Sequence, residues 1–420
     1  MTSQSKHPRI LMFAPFCYPP GNPEAFVNAN LVLAIRDAGW QIDVITMADT
    51  TPWYPHNLEA WQGLADCSFA VAERQRTFVN RLLVAVKTIV QSGHLVEGGR
   101  WALQAAEIAL RLIKEKGHDV IISRALPPTA HLAALITAQK TGLPWIANWN
   151  DPVPWKKFPT PYAGGKGQQA RMGFWMSRYY QEVAERATWH TFPCERLQKY
   201  ITGYLPRDIS GKSSVVPHIA LQNDTPAIHR RTGFTLMHAG SLRPPRSSEI
   251  FLQGVSLFRD KNKSLQGFSV VFIVDRPDDV RSAAIAHGVE DLVRIEKSRP
   301  YMEMPALLAT ADVLVIIEAL VEEGIFLPSK FVDYVQTGRP ILAISPTIGT
   351  LADILTERGG GIAADGRRAE GVADAIQTMY EYWLNGMLDE QVCSRKLFPL
   401  YSSETVLGVY REIFARIGKG

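Results

Sequence analysis

Glu322-Glu323-Gly324-Ile325-Phe326-Leu327-Pro328-Ser329-Lys330-Phe331-Val332-Asp333-Tyr334-Val335-Gln336-Thr337-Gly338-Arg339-Pro340 lies between two apolar runs, residues 313–317 and 341–344. Short apolar runs bounded by turn residues read as buried strands. Between them the chain reads as a loop, residues 318–327, and a short helix that Pro328-Ser329-Lys330 opens and Gly338 closes. Ser329 suits an N-cap, and Lys330 falls in the first turn. Free backbone N–H groups at a helix start attract an anion, and a lysine beside them adds a mobile positive charge. Asp333 sits one turn further in. The alternative is a capped surface helix with a Lys330–Asp333 pair, in which the lysine opposes the helix dipole by roughly 0.3 kcal/mol.

The same alternation extends in both directions. Residues 234–238 read as a strand, 239–246 as a Gly/Pro loop and 247–258 as a helix. A strand at 268–274, a helix at 278–287, a strand at 292–295 and a helix at 304–310 follow. Near the N-terminus, residues 9–14 form an apolar run and 15–23 a turn-rich loop. Residues 24–38 then place Phe26, Leu31, Leu33 and Ile35 at helical spacing, before Gly39 and a strand at 41–47. Residues 56–115 read as mainly helical. Strands at 119–122, 145–148 and 187–192 come next, with helices at 130–140 and after 192. Such alternation predicts parallel sheets with helices on their faces. The expected fold class is α/β, with two doubly wound, Rossmann-like units, residues 1–205 and 206–400. Pro206 and Gly211 interrupt the pattern at the division, and a last helix at 404–417 follows the second unit. Open sheets of this kind bind ligands at the carboxyl ends of their strands, so two facing sheets make a central cleft.

Composition narrows the function classes. The 420 residues are too many for one ordinary core. The net charge is only +4, and the modules that read RNA or DNA are absent, so no nucleic-acid partner is expected. Cys17, Cys67, Cys194 and Cys393 are far apart, without the spacing of a zinc or redox motif, which fits a reduced, cytoplasmic setting. The polar residues 1–9 lack an apolar signal core, and no apolar stretch is long enough to span a bilayer. Asp278-Asp279 opens a helix and reads as its cap, so no metal site is expected.

The 322–340 pattern resembles the donor-site motif of the family-four retaining glycosyltransferases (glycosyl transferases group 1), in a sub-branch carrying Pro-Ser-Lys. The resemblance covers nearly the whole chain and implies the GT-B fold. It places the acceptor on the first domain, the nucleoside-diphosphate sugar on the second, and the C-terminal helix, about 401–420, back across the first. It implies that Asp333 holds the donor's ribose and that Glu323, followed by Gly324, contacts the sugar. The gap between those two acids is longer than the family's usual one, and the second acid is Asp rather than Glu. Pro328, Ser329 and Lys330 match the phosphate end of the site.

Other segments extend the resemblance. His238-Ala239-Gly240-Ser241-Leu242-Arg243-Pro244-Pro245-Arg246 matches the family's diphosphate loop. Gly240 allows close backbone approach, and Arg246 and Arg243 have planar forks that suit phosphate oxygens. Ser241 stands where the family has an arginine. Arg299 and Tyr301 match the loop that holds the nucleobase. Gly21 and Asn22 match a loop near the phosphate and the acceptor. Ser123 and Arg124 replace a histidine common in the family. Asp151 ends a strand on the cleft side and is the candidate for acceptor contact. The catalytic set implied is Arg246, Lys330, Glu323 and Asp151, with no metal or other cofactor.

The implied activity is transfer of a sugar from a nucleoside-diphosphate sugar to an acceptor hydroxyl with retention, in cell-envelope polysaccharide or glycoconjugate synthesis. The alternatives are another GT-B enzyme, an epimerase or phosphorylase, and a degenerate GT-B module that binds a glycan or partner enzyme without catalysis. The expected partners are a nucleotide sugar and a glycan or lipid-linked acceptor. Residues 74–90 mix Arg74, Arg76, Arg81 and Lys87 with large apolar side chains at helical spacing, the pattern of a helix lying on an anionic membrane. Trp155-Lys156-Lys157-Phe158 and the aromatic run at 174–180 add to that pattern. The expected location is cytoplasmic, at the inner face of a membrane.

Overall fold

Two parallel sheets organise the chain. A computed structural model describes residues 7–19, 21–48, 61–72, 78–153, 158–162, 173–205, 207–221, 233–262, 265 and 267–418. Residues 56–60, Arg74, Arg76, Trp155, Lys156, Lys157 and Pro206 lie outside the described residues, as do the side chains of Phe174 and Trp175.

The first sheet contains β1 (Ile10–Phe13), β2 (Ile42–Met47), β3 (Ser68–Val71), β4 (Val120–Ala125), β5 (Trp145–Trp149), β6 (Trp189–Phe192) and β7 (Ser213–Val215) in the order β3-β2-β1-β4-β5-β6-β7. The second contains β8 (Thr235–Ala239), β9 (Ser269–Ile273), β10 (Val293–Glu296), β11 (Val313–Ile317), β12 (Ile341–Ser345) and β13 (Gly361–Asp365) in the order β10-β9-β8-β11-β12-β13. Central strands such as β1, β5 and β11 are buried at every residue, as expected of strands covered on both faces. Trp101, Trp145 and Trp149 fill the first core, and Phe234, Phe251 and Phe258 the second. The strand order reverses between β1 and β4 and again between β8 and β11. Such switch points open a crevice beyond the strand ends.

Three strands depart from the sequence reading. β3 lies in a stretch expected to be mainly helical. It pairs parallel to β2, Val44 with Ser68, and only Val71 of its four residues is buried. A short edge strand carries little periodicity of its own. β7 pairs with β6, so the division expected at 205/206 falls inside the first sheet. β13 extends the second sheet beyond its last expected strand. It requires Gly361, because a Cβ there would lie 1.9 Å from the Ile341 carbonyl oxygen.

The Ser403–Ile417 helix starts at Ser402, whose side chain accepts from the Thr405 N–H at 3.3 Å. It buries Val406, Leu407, Tyr410 and Ile413 against the first domain, in one cluster with Ile10, Val32 and Trp40. The chain therefore crosses between domains twice. The two crossing segments meet where the Ala220 N–H donates to the Tyr401 carbonyl at 2.8 Å.

Candidate functional site

The loops after β8 and β11 flank the switch point of the second sheet, and with the segment after β10, the Ser329–Thr337 helix and the Pro23–Asp37 helix of the first domain they enclose a cavity of about 300 Å³. Its floor is the start of the Ser329–Thr337 helix. Pro328 takes the N-cap position and Ser329 is the first helical residue, so the expected Ser329 cap is not formed and no side chain caps the helix. The Tyr334 hydroxyl docks this helix onto β8 by accepting from the Ala239 N–H at 2.9 Å. His238 pins the neighbouring loop, with one ring nitrogen 2.9 Å from the Val315 carbonyl and the other 3.2 Å from that of Gly240. Gly240 has φ +111°, and a Cβ there would stand 3.0 Å from the Lys330 ammonium. The left-handed backbone and the close approach both require glycine.

Lys330 and Arg246 define the electrostatics. Lys330 Nζ and Arg246 Nε are buried, and neither has a hydrogen-bond partner. Burial and the neighbouring Arg246 push the lysine down to about 7. Buried polar groups are almost always satisfied, so two orphaned cationic donors side by side mark a place prepared for an anion. Asp333 lies one turn along the helix. Its Oδ1 accepts from the Tyr301 hydroxyl at 2.5 Å, and burial raises its carboxyl to about 6. Tyr301 also meets the first domain. It stacks on Phe26 with ring centroids 4.2 Å apart, and its oxygen accepts from Asn30 Nδ2 at 3.1 Å.

A second cavity, about 160 Å³, adjoins the first across Arg246, Pro328 and Lys330. Asp151 enters it from the first domain and Glu318 from the end of β11. Burial raises Asp151 to about 7, with Glu24 adding to the effect, and raises Glu318 to about 8 against the pull of Arg246 and Lys330.

Gly240, Ser241, Arg246, Tyr301, Pro328, Ser329, Lys330 and Asp333 thus share the larger cavity, with Arg299. Asp151 lines the smaller one, and the remaining candidates line neither cavity. Arg243 turns to Asp275, Nη2 to Oδ2 at 2.9 Å, and Ser241 Oγ reaches the same carboxylate at 3.3 Å. Glu323 accepts from Arg196 Nη1 at 2.5 Å, while the same guanidinium grips Asp353. Its loop is held there because the Gly324 N–H donates to Ile348 and its carbonyl accepts from Thr350. The resemblance aimed Glu323 and Gly324 at the donor sugar; in the structure both stand outside the two cavities. Asn22 caps the Pro23–Asp37 helix, accepting from the Ala25 N–H at 2.9 Å, and Gly21 is buried in the same turn. Ser123 is interior, accepting from Trp145 Nε1 at 2.7 Å and facing His131 Nδ1 at 2.8 Å. Arg124 is buried with its Nε 2.5 Å from Asn28 Oδ1.

Sequence reasoning missed Glu318, Phe26, Asn30 and His218, which all line the cavities. Glu318 carries a readable signal, an acid at a strand end beside a switch point. His218 arrives on the crossing segment and carries none. Among the described residues, no group of His, Cys, Asp and Glu is arranged to hold a metal ion, and no helix is long and apolar enough to cross a membrane.

No family model matches the chain, and no curated protein matches it in sequence. Solved structures do match it over nearly its full length. HepE (Alr3699) of Anabaena, in complex with UDP and glucose, is 12% identical with a TM-score of 0.67, covering 98% of this chain and 100% of its own. A glycosyltransferase from Rickettsia africae is 11% identical with a TM-score of 0.66, covering 99% of both chains. Sucrose-phosphate synthase from Thermosynechococcus elongatus is 13% identical with a TM-score of 0.66, covering 98% and 100%. The likeness establishes the fold: two Rossmann-like domains facing a cleft, in the GT-B arrangement.

Proposed function

We propose that the protein is a nucleotide-sugar-dependent glycosyltransferase. The carrying observation is the pair of orphaned cations, Lys330 and Arg246, at an uncapped helix start beside a cavity with room for a nucleoside. A diphosphate supplies the acceptors they lack. Asp333 is then placed to accept a ribose hydroxyl, sharing its carboxylate with Tyr301, and Arg299 and Tyr301 border the base. HepE, whose fold this chain shares, holds UDP and glucose, which supports the reading. In the reaction the sugar C1–O bond to the diphosphate breaks, and its electron pair leaves on the phosphate oxygen. The acceptor oxygen bonds to C1 from the same face, giving retention, and its proton passes to a phosphate oxygen. Neutralising the leaving diphosphate is the largest task of the protein here. Lys330 and Arg246 perform it, so the reading assigns no metal or other cofactor.

Thermal denaturation with UDP, GDP and dTDP tests the reading, because a ligand that binds only the folded state stabilises it. At least one is expected to raise the Tm. If none does, the module binds its partner without using a donor, and the enzyme reading fails.

The acceptor in this reading is a glycan or a lipid-linked glycan of the cell envelope, met at the inner face of a membrane. One observation favours the membrane. The Phe78–Ser92 helix turns its apolar side outward: Leu82 is 61% exposed, Leu83 54%, Val86 51% and Val90 78%. Its polar Thr88 and Ser92 face the protein instead. The helix carries Arg81 and Lys87 and no acidic residue. An outward apolar stripe flanked by cations suits an anionic bilayer surface. Flotation with phosphatidylglycerol vesicles at low salt checks this, and Leu83→Glu with Val86→Glu should abolish it. Failure of the unaltered protein to float rejects membrane contact.

A further inference from the structure

The smaller cavity has the make-up of a carbohydrate subsite. Phe158, Tyr162 and Phe326 give it rings, with centroids 6.1 Å apart for Phe158 and Phe326 and 5.6 Å for Tyr162 and Phe326. Asp151 and Glu318 give it carboxyl groups, one from each domain. Carboxyl oxygens accept from hydroxyls, and flat apolar rings cover the C–H faces of a sugar. About 160 Å³ suits a single sugar ring rather than a nucleoside. The position is equally specific: the cations proposed to hold the diphosphate form the partition between the two cavities, so a group bonded beyond the second phosphate enters this one.

Glu318 is also the acid that stands next to the chemistry. It is close enough to Arg246 and Lys330 for both to pull against the rise that burial imposes on it. Glu323, by contrast, is 46% exposed and already ion-paired.

We infer that this cavity is the seat of the donor's sugar ring, and that Glu318 and Asp151, rather than Glu323, hold its hydroxyls. The inference rests on the donor reading above. It makes the sugar a contact of both domains, so the ring is gripped fully only while the cleft is closed.

Calorimetry of matched pairs tests it: UDP against UDP-glucose, GDP against GDP-mannose and dTDP against dTDP-glucose. The quantity that matters is the affinity ratio of sugar conjugate to bare diphosphate, which a fold defect would not change selectively. Glu318→Ala is expected to leave binding of the bare diphosphate within about threefold and to lower the ratio by about tenfold, the loss of one hydrogen bond to the Glu318 carboxyl. Glu318→Gln, which keeps a hydrogen-bonding head, loses less. Asp151→Asn gives an independent second variant, and Glu323→Ala leaves the ratio unchanged. An unchanged ratio in both Glu318→Ala and Asp151→Asn, or a ratio that moves only in Glu323→Ala, overturns the inference while the donor reading stands. If no bare diphosphate binds the unaltered protein, the donor reading falls and takes this inference with it.

Discussion

The two domains present the same architectural feature, the loops at a sheet's switch point, and equip it in opposite ways. In the first domain the side chains there pair with one another, and the buried atoms left without partners, such as Asn30 Oδ1 and Asn150 Oδ1, are neutral acceptors rather than cationic donors. Arg124 meets Asn28, Glu24 accepts from Asn150 at 2.6 Å, Asn22 caps its own helix, and Ser123 is held by Trp145 and His131. In the second domain Lys330 and Arg246 keep buried nitrogens without partners, and the helix start beneath them is uncapped. A satisfied network rigidifies a scaffold, whereas an orphaned cation waits for a ligand. The difference supports the proposal that the anion is bound by the second domain.

The contrast is broken most severely at Lys330. Lys330→Ala should lower donor turnover, followed as release of nucleoside diphosphate, by about 10²–10³-fold, the usual loss when a preorganised electrostatic contact is removed. Near-normal turnover would sink the assignment. Arg124→Ala should do the converse. It leaves Asn28 Oδ1 without its donor in a buried setting and costs about 2 kcal/mol of stability, read from the denaturant midpoint, while donor affinity stays within about threefold. Acidity sharpens the contrast further. A diphosphate favours the charged form of Lys330, which is pushed down to about 7 in the free protein, so donor affinity should fall as pH rises above that value. A ribose hydroxyl favours ionised Asp333, raised to about 6, so affinity should also fall below pH 6. Calorimetry should therefore find the strongest binding between about pH 6 and 7. Lys330→Arg, whose charge is permanent, should flatten the alkaline limb. The smallest effect is expected at Glu323→Gln, under about threefold in turnover, since Arg196 retains Asp353. A large loss there would restore Glu323 to the site.

Much of this was legible in the sequence because buried parallel strands announce themselves. β1 and β11 are continuous apolar runs, and Gly240 and Gly338 sit at φ +111° and +73°, where glycine punctuation was expected. β3, β7 and β13 were not legible. They are short or peripheral and are strands because a neighbour offers an edge. In the site, Lys330 and Asp333 could be read because a helix fixes the distance between its residues. Glu323 could not, because an irregular loop sets no such distance. Its pairing with residues 348–350 decides where its side chains go. Ser123 and Arg124 read as cleft residues by their place after a strand, yet they face the interior, where Trp145, His131 and Asn28 had partners to offer.

The meeting of the two interdomain segments has a mechanical consequence. A body tethered by one flexible chain can swing, slide and twist; a body tethered by two separate chains resists twisting but can still shear. Here the tethers are hydrogen-bonded to each other, Ala220 to Tyr401, so they act as a single pivot. Rotation about that pivot is the soft motion left to the second domain. Its arc would carry Tyr301 toward or away from Phe26 and Arg196 toward or away from Glu323 and Asp353 together, so the Tyr301 end of the larger cavity and the rim of the cleft would open and shut as the two jaws of one hinge.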